Sequence, residues 1–152
     1  MIGAKIVVHT DVILEHLYGT RRPSVLRSAM GMYFCYTTVF QAVEVFAVLR
    51  TERERQAAVD AMAAMKLLGL NPKNAMRYGD LFAAHPTFRP MDILVAGLCL
   101  ESRLPLLTDR GKDFAGIRGL DVIPTRFVQS RITGADTLKG RQRQGHITKR
   151  TR

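Results

Sequence analysis

Five acidic side chains stand at points where short apolar runs end or helical patterns begin. They are Asp11, Glu44, Asp92, Asp109 and Asp113. Carboxylates brought together repel and raise one another's pKa unless cations neutralise them. Mg²⁺ and Mn²⁺ favour such oxygen ligands, and a bound ion can activate water and stabilise a phosphodiester under attack. Gathered in one site, these acids would favour nuclease chemistry, whereas each alone is typical of a helix cap or a solvated charge.

The elements that would position these acids alternate between strand and helix patterns. Residues 5–8 are mostly apolar and β-branched, which predicts a central parallel strand, and helical spacing follows over residues 12–17. Residues 32–36 predict a second strand. Thr38 then shows the Thr-x-x-Gln capping-box pattern that begins a helix, and Glu44 lies on that helix. Asp11 and Glu44 therefore each follow the end of a predicted strand.

The rest of the chain continues this alternation. Predicted helices cover residues 23–30, 51 to about 68, 75–84 and a segment from Pro90, and predicted strands cover 104–108 and 120–123. The helix from residue 51 begins with a second capping-box pattern, Thr51-x-x-Glu54. Asp92 falls in the first turn after Pro90. This order predicts an α/β fold, a three-layer α/β/α sandwich with a central parallel sheet, whose ligands bind beyond the carboxyl ends of the strands. Because no glycine-rich loop follows the first strand, a nucleotide-binding domain is disfavoured.

Four segments carry a combined pattern that is more specific than any one of them. They are IVVHTDVILEHL (6–17), YTTVFQAVEVFA (36–47), DILVAGLCL (92–100) and LPLLTDRGKDFAGIRGLDVI (104–123). Together they resemble the PIN domain family, the fold of the VapC-like toxins of bacterial toxin–antitoxin pairs. The resemblance implies a parallel sheet of 3-2-1-4-5 type and a Mg²⁺- or Mn²⁺-dependent endoribonuclease activity. It also implies frequent homodimers and neutralisation by a small cognate antitoxin.

The resemblance assigns metal-binding and catalytic roles to acids of the later motifs. Glu44 matches the acid that follows the capped threonine of the second motif, and Asp92 matches the acid that opens the helix of the third. Asp113 aligns with the aspartate of an Asp-Phe pair in the fourth motif, while Asp109 stands nearer the strand end. Either of these last two could face the metal.

The first motif departs from the family pattern, because His9 stands where the first metal-binding aspartate is expected. Imidazole is a poor ligand for Mg²⁺ but suits Mn²⁺, Zn²⁺ or iron. Three interpretations follow: Asp11 supplies the carboxylate, His9 itself binds a softer metal, or the site is impaired and only holds RNA. A strand-end histidine is also typical of a hydrogen-bonded structural residue. Thr10 and Thr38 are predicted to position the surrounding ligands by hydrogen bonds.

Basic residues supply the expected contacts with RNA. The formal net charge is +10, and the segment from residue 126 to residue 152 holds eight basic residues against one acid, Asp136. Such a segment neutralises phosphates, although a solvated tail that maintains solubility has the same composition. The sequence therefore predicts a PIN-like domain over residues 1–125 and a basic C-terminal tail over 126–152. The residues predicted to bind RNA are Arg110, Lys112, Arg141 and Arg143.

The cysteines and the hydropathy pattern indicate the cellular compartment of the protein. Cys35 and Cys99 each lie inside an apolar run, which predicts buried thiols and not a disulfide or a metal knuckle. The sequence shows neither the layout of a secretory signal nor a long apolar span. We therefore expect a cytoplasmic protein with no membrane partner.

Two functions are compatible with these patterns. The leading hypothesis is a metal-dependent endoribonuclease, the toxin of a toxin–antitoxin pair, in which Asp11, Glu44, Asp92 and Asp113 are catalytic. The alternative is a catalytically impaired PIN-like module that binds RNA or has a regulatory role. The position of His9 and the basic tail motivate this alternative.

Overall fold

Five parallel strands form one sheet in the part of the chain described by the computed structural model, residues 3–130. The strands are β1 (Lys5–Val8), β2 (Phe34–Thr38), β3 (Lys66–Leu68), β4 (Leu106–Leu107) and β5 (Val122–Ile123). Their order in the sheet is β3-β2-β1-β4-β5, and every pair of neighbours is parallel. This arrangement confirms the predicted parallel sheet and the 3-2-1-4-5 order implied by the resemblance.

Within the described residues, six helices flank the sheet. They are α1 (Thr10–Tyr18), α2 (Val25–Met30), α3 (Val39–Val48), α4 (Glu52–Ala63), α5 (Ala75–Ala84) and α6 (Pro90–Ser102). Short 3-10 turns cover Pro72–Asn74 and Gly111–Phe114, and residues 126–130 are also helical. No helix over residues 3–130 is long and apolar enough to cross a membrane.

The core is divided by the central strand into two halves. Ile6 and Val8 belong to one buried cluster, whereas Val7 belongs to the other, because successive side chains of a strand point to opposite faces. All three are 0 % exposed, as expected of a strand covered on both sides. Helices thus pack on both faces of the sheet, which confirms the three-layer α/β/α prediction.

Local signals in the sequence set several helix starts. Thr38 accepts a hydrogen bond from the Gln41 backbone N–H at 3.2 Å, and the Gln41 side chain accepts one from the Thr38 N–H at 3.0 Å. Thr51 and Glu54 form the same reciprocal pair at the start of α4. Both predicted capping boxes are confirmed, and the first one fixes the direction of the helix that carries Glu44.

The predicted helix from residue 51 to about 68 was wrong at its C-terminal end. The helix ends at Ala63, and Lys66–Leu68 forms β3 at the edge of the sheet, paired with β2. Lys and Leu have good helix propensity, so the local pattern continued the helix. Pairing with β2 overrides that preference, because strand formation depends on neighbours that are distant in sequence.

Other boundaries moved by about two residues. The strand predicted over residues 32–36 is Phe34–Thr38, whose register is set by pairing Lys5 with Phe34 on the central strand. The predicted boundary between domain and tail at residue 125 stays a prediction. The helical residues 126–130 follow this boundary, and Val128 is buried in the core among them. The remaining tail, which includes Arg141 and Arg143, lies outside the described residues.

The two cysteines are buried free thiols, as predicted. Cys35 lies in β2 and Cys99 in α6, in the two different halves of the core. Burial raises the pKa of Cys35 to about 11 and that of Cys99 to about 12. Because the thiolate is the reactive form, both residues are inert packing groups near neutral pH.

Gly97 of α6 allows the ring of Tyr78 in α5 to lie against the backbone of α6. A Cβ atom at Gly97 would lie 2.3 Å from Tyr78 Cε1. The ring has little freedom to move, since Tyr78 is buried and its hydroxyl donates to Glu101 at 2.9 Å. We expect Gly97→Ala to lower the free energy of unfolding by about 1–3 kcal/mol, the usual cost of overpacking. Urea denaturation would measure the loss.

Gly79 of α5 provides the matched control. A Cβ atom there would have no neighbour within 4 Å, so Gly79→Ala should raise the free energy of unfolding by about 0.5–1 kcal/mol. If both alanine variants gained stability, the close contact between α5 and α6 would be refuted.

Candidate functional site

The candidate site lies where the carboxyl ends of β1 and β4 meet. Val8 and Leu107 pair at the ends of these strands, and the His9 N–H donates to the Leu107 carbonyl at 3.1 Å. The chain turns into α1 directly after His9, while Thr108 follows Leu107 on the other strand. The sheet thereby brings the first and fourth motifs together, although about a hundred residues separate them in sequence.

Glu44 reaches this edge from α3. The amide of Gln41 donates to the Val8 carbonyl at 2.8 Å, which ties α3 to the end of the central strand. Thr10 then donates its hydroxyl hydrogen to Glu44 Oε2 at 2.6 Å, and Arg89 Nη2 lies 3.4 Å from Glu44 Oε1. Thr10 therefore contacts a predicted ligand directly, whereas Thr38 acts at a distance by capping the helix.

Asp92 is the most buried acid of the site. It lies in the first turn of α6, and its side chain is only 3 % exposed. Burial raises the pKa of this carboxyl and the neighbouring Glu44 charge raises it further, while Arg110, Arg89 and His9 partly offset these effects. Arg110 Nη2 is 3.7 Å from Asp92 Oδ2. A buried carboxylate is costly unless it is paired with positive charge, and a bound cation would relieve that cost.

Asp11 is held in a different way. Its Oδ1 accepts a hydrogen bond from the Thr108 hydroxyl at 3.0 Å and lies 3.0 Å from His9 Nδ1, while its Oδ2 accepts the Asp109 N–H at 2.9 Å. Burial alone would raise the pKa of Asp11, but these hydrogen bonds outweigh it and lower the pKa. Asp11 is therefore an ionised acceptor that links the first motif to the fourth.

His9 is fully buried between two carboxylates. Its Nδ1 lies 3.0 Å from Asp11 Oδ1 and 3.5 Å from the backbone nitrogen of Asp11. Nδ1 cannot both donate a hydrogen to the Asp11 carboxylate and accept one from the Asp11 N–H. The short contact with an ionised acid decides the tautomer, so Nδ1 carries the hydrogen. The other nitrogen, Nε2, is buried without a hydrogen-bond partner and lies 3.9 Å from Asp92 Oδ1.

The two acids of the fourth motif point to different partners. Asp109 accepts hydrogen bonds from the Thr125 N–H at 3.0 Å and from the Thr125 hydroxyl at 2.6 Å. Asp113 contacts Arg110 through Nε at 2.6 Å, and Arg110 in turn contacts Asp92. Asp113 is therefore connected to the buried acid through a guanidinium, whereas Asp109 is engaged with Thr125, directly before the helical residues 126–130.

Two of the four predicted RNA-binding residues, and several residues that were not predicted, lie at the site. Arg110 is partly exposed and Lys112 is exposed beside it in the 3-10 turn. Sequence reasoning missed the site contacts made by Arg89, by Thr108 and by the Gln41 amide. The sequence marks Gln41 through its capping pattern, and it marks Thr108 only as the end of a predicted strand. The contact of Arg89 with Glu44 had no local signal, because it joins α3 to the turn before α6.

The potential ligand atoms at this edge meet some of the requirements of a divalent cation. No three His, Cys, Asp or Glu side chains within residues 3–130 converge as a ready-made metal-binding group. Mg²⁺ and Mn²⁺ nevertheless often bind through one or two carboxylates and keep several waters. Asp92 and Glu44 are two carboxylates of this edge, and the orphaned His9 Nε2 faces Asp92. These groups fit a bound cation, although Glu44, like Asp11, already accepts a hydrogen bond from a threonine.

Comparison with known sequences gives one family. The profile of the PIN domain matches residues 6–120, which is most of the described chain. The sequence has no match among curated proteins.

Comparison with solved structures gives chains from toxin–antitoxin complexes. One, from the DNA-bound VapBC of Salmonella typhimurium, has a TM-score of 0.70 at 15% identity and covers 80% of this chain and 98% of its own. Another, from VapBC2 of Rickettsia felis bound to a DNA fragment from their promoter, has a TM-score of 0.67 at 13% identity, with coverages of 79% and 98%. A third, from a toxin–antitoxin complex of Klebsiella pneumoniae, has a TM-score of 0.63 at 22% identity, with coverages of 79% and 97%. At these identities the likeness shows a common fold.

Proposed function

Because this chain belongs to the PIN domain family, we propose that it is a metal-dependent endoribonuclease and the toxin of a VapC-like toxin–antitoxin pair. PIN domains are generally nucleases that use divalent metal ions. The proposed cofactor is Mg²⁺ or Mn²⁺, and the proposed reaction is hydrolysis of RNA phosphodiesters. The observation that carries this proposal is the buried Asp92 carboxylate, whose pKa is raised by burial and by the charge of the neighbouring Glu44.

The residues of the site have separate roles in this proposal. Asp92 and Glu44 would hold the cation, which when bound would stabilise the negative charge that develops on the phosphodiester. Thr10 keeps the Glu44 carboxylate oriented through its 2.6 Å hydrogen bond. Arg110 and Arg89 lie beside these acids, where their guanidinium groups can bind the phosphates of RNA that approach the edge of the sheet.

The proposed partners follow from the same assignment. The chains with the same fold come from complexes of a toxin with its antitoxin, which supports a small cognate antitoxin for this protein. A homodimer is proposed from the family resemblance. We also propose that the basic segment after residue 130 binds RNA phosphates and that the protein acts in the cytoplasm, where its RNA substrate is found.

The direct test is cleavage of a panel of single-stranded RNAs by the purified chain with Mg²⁺, Mn²⁺ or EDTA. We expect cutting with a divalent ion and none with EDTA. Glu44→Gln should slow cleavage by about tenfold or more, because loss of a group that holds or orients a metal usually costs at least that much. Glu52→Gln, an exposed glutamate at the start of α4, is the matched control and should leave the rate unchanged.

A second candidate function is an RNA-binding or regulatory module without catalysis. The observation that favours it is the pairing of the acids with the chain's own cations, since Arg89 lies against Glu44 and Arg110 against Asp92. The same experiment separates the two functions. Absence of cutting, together with RNA binding that survives EDTA and is lost on deletion of residues 131–152, would favour the module.

A further inference from the structure

One buried atom of the site has no role in the fold. The imidazole of His9 is fully buried, and its Nε2 is one of the few buried side-chain atoms in the described chain without a hydrogen-bond partner. An unsatisfied buried polar atom costs about 1–3 kcal/mol, so its retention calls for an explanation. The ring is also fixed in place, because it packs edge-on against Phe114 with centroids 5.4 Å apart. Nε2 is therefore held in one direction, towards Asp92.

The contact of the other ring nitrogen, Nδ1, with Asp11 indicates a role for Nε2. Asp11 accepts the Nδ1 hydrogen at 3.0 Å and is itself held by Thr108 and the Asp109 N–H. In the neutral ring, this contact places the hydrogen on Nδ1 and leaves a lone pair on Nε2. A histidine that binds a metal characteristically donates its second ring N–H to a carboxylate, which orients the ring and makes the ligating nitrogen more basic. Asp11 and His9 have this arrangement.

The distance between the two free donors suits a single ion. His9 Nε2 and Asp92 Oδ1 are 3.9 Å apart, which lies within the limit of about 4.2 Å for two ligands each about 2.1 Å from one ion. Tetrahedral ligands would be about 3.4 Å apart, so binding would draw the two side chains slightly together. Arg110 approaches Asp92 from the other carboxylate oxygen, Oδ2. Arg110 therefore contacts Oδ2, and Nε2 and Oδ1 are the two atoms that would face the ion.

We propose that His9 is a metal ligand, and that its Nε2 and the Asp92 carboxylate bind one divalent transition ion in preference to Mg²⁺. The inference rests on the proposed function in placing the cation at this edge, and it specifies which ion the site selects. Mg²⁺ prefers oxygen ligands and accepts imidazole poorly, whereas Mn²⁺ and Zn²⁺ accept it readily. In this assignment Asp11 is a positioning residue that acts through His9 and does not contact the ion.

The test uses Mn²⁺ as the probe and a readout that does not depend on activity. Pulsed EPR of Mn²⁺ bound to the full chain should show magnetic coupling to a nitrogen nucleus. Titration should give Mn²⁺ an affinity at least about tenfold above that of Mg²⁺, and His9→Asp should abolish both the coupling and most of that preference. Aspartate is a good helix N-cap residue, so this variant retains the local start of α1.

A second imidazole, in the helix that begins directly after His9, gives the matched control. His16 lies at the other end of α1 and contacts Ser24 at 2.6 Å, so His16→Gln should keep the nitrogen coupling. His9→Gln, which removes the imidazole but keeps an amide of similar reach, replaces His9→Asp if that variant does not fold.

The outcomes separate this inference from the proposed function. Absence of nitrogen coupling in the wild type, coupling that persists without His9, or absence of Mn²⁺ binding would each overturn the inference. Mg²⁺-dependent RNA cleavage without nitrogen coupling would leave the ribonuclease proposal standing. Nitrogen coupling in a protein that cuts no RNA would support the metal site and count against the ribonuclease.

Discussion

Asp92→Asn is expected to reduce RNA cleavage by at least about 100-fold, because it removes the buried charge that would hold the cation. The same change should not weaken the fold. Burial raises the pKa of Asp92, so the ionised carboxyl destabilises the folded protein at pH values above its ordinary pKa of 3.8. The penalty grows as pH rises from this unfolded pKa to the folded pKa, and it is constant above the folded pKa. Asparagine removes it, and stability at pH 7 should increase.

Two measurements on the same preparation check this expectation. Cleavage of a single-stranded RNA with Mn²⁺ gives the activity, and urea denaturation in EDTA at pH 7 gives the stability without metal. Asp80→Asn, an exposed position on α5, is the control and should change neither quantity. A lower free energy of unfolding in Asp92→Asn than in the wild type would indicate a structural role for this carboxylate. That result would contradict the proposed site.

Asp11→Ala is expected to have the largest effect on stability. Its carboxylate joins His9, Thr108 and the Asp109 backbone across the ends of two strands. Removing it leaves a buried hydroxyl, an N–H and an imidazole without their acceptor, and breaking such a network typically costs about 3 kcal/mol or more. Urea denaturation at pH 7 would measure the loss against Asp121→Ala, an exposed aspartate that should change stability by less than about 0.5 kcal/mol.

The pH dependence of this effect follows from the lowered pKa of Asp11. A carboxyl whose pKa is lower in the folded state contributes stability at pH values above its unfolded pKa, and this contribution disappears as pH falls through the folded pKa. The difference in stability between wild type and Asp11→Ala should therefore be full at pH 7 and shrink below about pH 4. A difference that stays constant over this range would show that packing, and not the charge, carries the effect.

The sequence by itself determined the class of fold and identified several candidate residues of the site. Periodicity and capping patterns are local, so the central strand, the two capping boxes and the helix after Pro90 were visible in the order of residues. The family pattern added the strand order and the alignment of His9 with a metal-binding position. These features depend on residues close in sequence or on a motif that spans the chain.

Tertiary structure decided the contacts among those residues. β3 has no strand signal of its own, because Lys66–Leu68 becomes a strand only through pairing with β2. Asp11 was a candidate ligand in the sequence, yet the meeting of β1 with β4 directs its oxygens to Thr108 and the Asp109 N–H. The same meeting fixes the tautomer of His9 and leaves Nε2 facing Asp92. Hydrogen bonds between strand ends join residues far apart in the chain, so only the folded arrangement determines which oxygen or nitrogen remains free.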